Sequence, residues 1–141
     1  MADLKFNTGK LAIVQGKLNQ GSTTLRACII SGAKPTDPDL ATVAAVDAVT
    51  NVVVNTERIT LTSVTATNDT TDDRTEIDAA AFSFAAAAGV TALGLLLYDA
   101  TTDTNDTTRV PIAFFDTNFG AGIAMDGGLN VTIPTELLYV S

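Results

Sequence analysis

The chain has 141 residues, with eight Lys and Arg, sixteen Asp and Glu, no histidine and one cysteine, for a net charge of −8 and a sequence pI of about 4.1. A lone cysteine excludes an internal disulfide framework, the lack of histidine removes the usual proton carrier near neutral pH, and the acidic balance disfavours nucleic acid and anionic lipid as partners. Hydrophobic residues make up 46% of the chain and charged ones 17%, against about 25% charged in ordinary domains, so one core is affordable and the length reads as a single domain over residues 1–141.

Met1 to Lys5 lacks the basic-then-apolar layout of a secretory signal. Asn7-Thr8-Gly9 is placed to start a short helix, with Leu11, Val14 and Leu18 at i, i+3 and i+7 on one face; a strand over Leu11 to Val14 is the rival. Gly16 and Gly21 flank a loop. Thr23 to Ser31 then reads as a strand with Leu25, Ala27 and Ile29 on one face and Arg26 on the other. Cys28 in this run is expected to be a small buried hydrophobe. Two prolines in Lys34-Pro35-Thr36-Asp37-Pro38-Asp39 exclude a regular element, and Asp39 is placed to cap a helix over Ala41 to Val46.

Asn51 to Asn55 reads as a short strand and Arg58 to Thr67 as a longer one. Its parity changes between Leu61 and Val64, which predicts a β-bulge near Thr62-Ser63. Asn68 to Asp73 is a polar hairpin tip, and Arg74 to Asp78 resumes the strand. The twenty residues between Asp78 and Asp99 carry no charge, about enough to span a bilayer. The run is broken by Ser83, Gly89, Thr91 and Gly94 and has no Lys or Arg anchor, so two buried strands around a turn at Ala88-Gly89 are expected instead of a membrane span.

Thr91 to Tyr98 is predicted to be a strand buried on both faces. Asp99 to Thr107 is a second polar hairpin tip. Pro111 makes the returning strand, Thr108 to Phe115, an edge strand or an interrupted one. Thr117 to Gly128 is a glycine-rich loop holding Phe119, Ile123 and Met125, which either tuck under the core or form a protein-contact patch; contact is the reading adopted. Leu129, Val131 and Ile133 alternate in a further strand, and Leu137 to Val140 closes the chain. Short apolar runs at regular spacing predict an all-β fold, an antiparallel β-sandwich of jelly-roll or immunoglobulin-like type with one or two short helices near the N-terminus.

No motif carries chemistry. Asp99 to Asp106 and Asn68 to Asp73 hold oxygen ligands at close spacing, but both lack the glycine and closing Glu of a Ca²⁺-binding EF loop and match solvated hairpin tips. Gly120-Ala121-Gly122 lacks the third glycine and the βαβ frame of a dinucleotide fingerprint. Glu76 and Asp78 share a strand face, which is read as solvated. The eight basic residues are scattered along the chain. No catalytic residue, metal ligand or cofactor is therefore expected. A surface whose polar load is Thr, Asn and Asp instead of Lys and Glu, at a mean hydropathy of +0.28, loses little side-chain entropy on burial, which fits either coverage by other protein or a Thr/Ala-rich genome.

Several runs taken together, Phe6-Asn7-Thr8-Gly9-Lys10, Thr24 to Ile30, Leu40 to Val43, Leu95 to Asp99, Ile112 to Asp116 and Leu129 to Pro134, give the chain an order that resembles small structural proteins of tailed bacteriophages, such as capsid decoration (cement) proteins. The resemblance covers about Phe6 to Val140 and rests on strand order. It implies a sandwich-like fold, no enzymatic activity, and assembly on the outer surface of the virion head, against the major capsid protein or other virion proteins and against copies of itself, as a trimer if it sits at three-fold positions. Nucleic acid and membrane are not expected partners. Tail, neck or fibre components, and a carbohydrate-binding host-attachment module, are the alternatives; the last is weakened by two Tyr and no Trp.

Overall fold

The structure is a computed structural model that describes residues 4–14, 24–35, 58–71, 74–101, 109–132 and 138–140. It is mostly β, with antiparallel strand pairing throughout and one helix among the described residues.

The longest apolar runs form the centre. Strands β1 (Leu4–Lys5), β2 (Leu25–Ile30) and β3 (Ile59–Thr60) join two later strands, β8 (Gly94–Asp99) and β9 (Val110–Phe115), in a five-stranded sheet of order β1-β9-β8-β2-β3. The register is fixed by the β2–β8 pairing, in which Cys28 lies opposite Leu96 and Arg26 opposite Tyr98. Strands β2 and β8 are buried on both faces, which is why Leu95-Leu96-Leu97-Tyr98 reads as a continuous apolar run without alternation.

Pro111 sits where a missing donor does least harm. Strand β1 reaches only as far as Ala113, so no ladder on that side asks Pro111 for a hydrogen bond. On the other side, Leu97 pairs with Ala113 and Tyr98 with Pro111, leaving Ile112 as an extra residue. The expected interruption is thus a bulge in an interior strand.

Strand β4 (Thr65–Asp69) forms a hairpin with β5 (Arg74–Asp78), and β12 (Leu138–Val140) adds to the far side of β5. Two small ribbons pair β6 (Phe82–Phe84) with β11 (Leu129–Val131) and β7 (Thr91–Ala92) with β10 (Ile123–Ala124). The strand predicted over Arg58 to Thr67 is therefore two strands in two sheets. The chain turns between them at Ser63, whose φ of 53° lies in the left-handed region. The predicted slip is a change of sheet, not a bulge within one. Leu93 likewise breaks the expected Thr91 to Tyr98 strand; its N–H donates across to Ile30 at 2.8 Å. No described helix is long and apolar enough to cross a membrane, and the uncharged run forms β6, β7 and β8.

One side of the central sheet presents Leu25, Ala27, Ile29, Leu95, Leu97 and Ile112 to Phe84, Ala92, Met125, Leu61 and Ala79 in the main core. Phe82 meets Phe84 edge-on, with ring centres 5.8 Å apart. The other side carries Phe6, Cys28, Ile30, Leu96, Tyr98 and Phe114. Cys28 is fully buried, as expected of a small hydrophobe.

Helix α1 (Asn7–Val14) lies against β9. It buries Gly9 and Ala12, next to the buried Phe6 that precedes it, and leaves Leu11 54% exposed, so Leu11 is not on the packed face. The reason is close approach: a Cβ on Gly9 would lie 2.6 Å from the Ile112 Cα, so the glycine side alone can touch the sheet. The elements expected at Ala41 to Val46 and Asn51 to Asn55, and the loop between Gly16 and Gly21, lie outside the described residues.

Candidate interaction surface

The glycine-rich loop is built outward from a buried charge. Asp116 follows β9 directly and is 2% exposed. Its Oδ2 accepts from the Lys34 Nζ at 2.9 Å, and the same ammonium donates to the Gly120 carbonyl at 3.3 Å. The Asp116 carbonyl accepts from the Phe119 N–H, and the Phe119 carbonyl from the Gly122 N–H. These bonds wind 116–122 into consecutive turns. Gly122 closes them at a φ of 120°, in the left-handed region that favours glycine, and a Cβ there would also crowd the Thr91 side chain.

This frame separates the three expected contact residues. Met125 is 0% exposed and belongs to the core. Its N–H donates to Val90 and its carbonyl accepts from Ala87 and Gly128, which ties the loop to 85–90. The Met125 side chain is therefore core and is not available for surface contact. Phe119 is half-buried against the core, and Ile123 is half-buried in β10. Both retain an accessible part.

The exposed surface is richer elsewhere. Leu11 is the one exposed large hydrophobic residue among the described residues. Strand β4 is the outer strand of its sheet among the described residues, and Thr65, Ala66, Thr67 and Asn68 are all exposed. It has none of the lysines, prolines or bulges that usually blunt an edge.

The sequence conceals a cluster of positive charge. Sheet register places Arg26 directly opposite Tyr98 and Thr60 opposite Arg26. Arg58 lies two residues before Thr60, and Arg109 two before Pro111, which itself faces Tyr98. With a side-chain period of two, all of these share the face of Tyr98. The Arg58 and Arg109 guanidinium carbons lie 5.8 and 5.6 Å from the Tyr98 ring centre, within cation–π range. Two of the four arginines therefore lie against one ring and a third is its cross-strand neighbour, which corrects the scattered distribution expected from chain order. Residues 26, 58, 98 and 109 are too far apart in sequence for any local pattern to connect them; only the β3–β2–β8–β9 register does.

Among the described residues no group of three or more His, Cys, Asp or Glu is placed to hold a metal ion. Asp99 accepts at Oδ1 from the Thr101 N–H and hydroxyl, an ordinary Asx turn; the rest of its acidic loop lies outside the described residues. The chain matches no protein-family model, no curated protein and no solved structure.

Proposed function

We propose that the protein is a bacteriophage virion structural protein, a capsid decoration protein that binds the major capsid protein lattice as a homo-oligomer on the outer surface of the head. The observation that carries this reading is the edge strand β4, whose exposed Thr65-Ala66-Thr67-Asn68 side chains are short and uncharged. Such side chains lose little entropy on burial, and an unblunted edge is a template for pairing with another chain. The resemblance in strand order points the same way. On this reading the small ribbons β6–β11 and β7–β10 form the second layer of a β-sandwich over the central sheet. An exterior position also suits a chain of net charge −8, because an interior one would face packed phosphates.

The test is to mix the purified protein with phage heads assembled without it and to sediment the heads. Saturable co-sedimentation supports the reading. A protein that stays in the supernatant at saturating concentration removes it and favours a tail, neck or fibre role.

A further inference from the structure

We propose that Arg26, Arg58 and Arg109 form, with Tyr98, a binding site for an oxyanion, either a phosphate or a carboxylate group. Four observations converge on it. The three guanidinium-bearing residues share one face and one end of the central sheet. Arg58 and Arg109 both lie within 5.8 Å of a single ring centre, so their separation cannot exceed twice that, about a Debye length at 0.1 M salt. Arg26 uses its Nε to donate to the Thr60 Oγ1 at 2.9 Å, which leaves its terminal N–H groups with no partner among the described residues. The Tyr98 hydroxyl is buried and has no hydrogen-bond partner there either.

Three cations are thus gathered on one face of a chain with net charge −8. Arg58 and Arg109 make further contacts of their own, and each lies within cation–π range of the Tyr98 ring. Among the described residues that leaves the Arg26 terminal N–H groups and the phenol as donors without a partner. An oxyanion seated among the arginines accepts from the Arg26 terminal N–H groups and from the Tyr98 O–H, the pairing that planar guanidinium forks favour. On this face Tyr98 is flanked across the strands by Arg26 and Pro111, and the next residue of β8, Asp99, points to the opposite face by strand parity.

The chain has no Trp and two Tyr, so a Tyr139→Phe variant makes Tyr98 the sole emitter and a direct reporter. Inorganic phosphate and succinate are titrated separately against sodium chloride at matched ionic strength, following tyrosine emission and thermal unfolding. The expected result is a saturable emission change and a melting temperature raised by about 4 °C at ten times the dissociation constant. Response to phosphate alone identifies a phosphate site, and response to succinate identifies a carboxylate site. Arg26→Gln, at a partly exposed position, should weaken binding about tenfold, the effect of losing a charge-assisted hydrogen bond. Tyr98→Phe should weaken it severalfold without lowering the stability of the ligand-free protein. If neither anion exceeds the chloride control, or if Arg26→Gln binds as the parent does, the proposal is overturned.

Discussion

The Lys34–Asp116 pair is the device that positions the glycine-rich loop, and breaking it should be costly. Lys34→Met keeps most of the aliphatic stem and removes the charge. The Asp116 side chain is fully buried and that of Lys34 is 20% exposed. Removing one partner of a buried pair typically costs about 3–5 kcal/mol. The partial exposure of Lys34 and the further contacts of Asp116 place this case lower, at about 2–3 kcal/mol. For a domain of this size that lowers the melting temperature by roughly 4–10 °C. Urea unfolding read by tyrosine emission and circular dichroism gives the free energy directly. In an Asp116→Asn background the same substitution should cost much less, because no buried carboxylate remains unpaired. The loss should persist in 0.5 M salt, unlike that of a solvated pair. A loss below about 0.5 kcal/mol, or one abolished by salt, would falsify the claim that this pair anchors the loop.

Other substitutions separate packing from contact. Gly9→Ala would stabilise an exposed helix by about 1 kcal/mol; here it should destabilise by about 1–3 kcal/mol in urea unfolding, because the new Cβ meets the Ile112 backbone. Met125→Ala should cost about 2–5 kcal/mol in the same assay, as expected of a core methionine. Leu11→Asp and Thr67→Lys should each change monomer stability by less than about 0.5 kcal/mol while reducing co-sedimentation with heads. If Thr67→Lys sediments normally, β4 is not the contact edge.

The three long apolar strands are legible as apolar runs bounded by turn residues, and for the run ending at Tyr98 the lack of alternation also records burial on both faces. Leu25 to Ile30 and Val110 to Phe115 fall within the expected strands Thr23 to Ser31 and Thr108 to Phe115, Gly94 to Asp99 is the larger part of the expected Thr91 to Tyr98 strand, broken at Leu93 and extended by one residue, and β4 and β5 form the expected hairpin. What failed was anything decided between elements. Leu11 has helical spacing, yet Gly9 faces the sheet, because closeness of approach and not hydrophobicity selected that face. Met125 stands in a glycine-rich stretch that looks like surface loop, but its backbone bonds to Val90 and Ala87 draw it into the core. The arginines around Tyr98 come from β2, from the residue before β3 and from the residue before β9, and only the pairing register unites them.

The central claim is that this chain is a repeated component of a phage head. Quantitative mass analysis of purified particles tests it most directly, by measuring copies of this chain relative to the major capsid protein. The account predicts a fixed ratio of the same order as the shell subunit itself. A handful of copies per particle would contradict it and place the protein in the neck or tail.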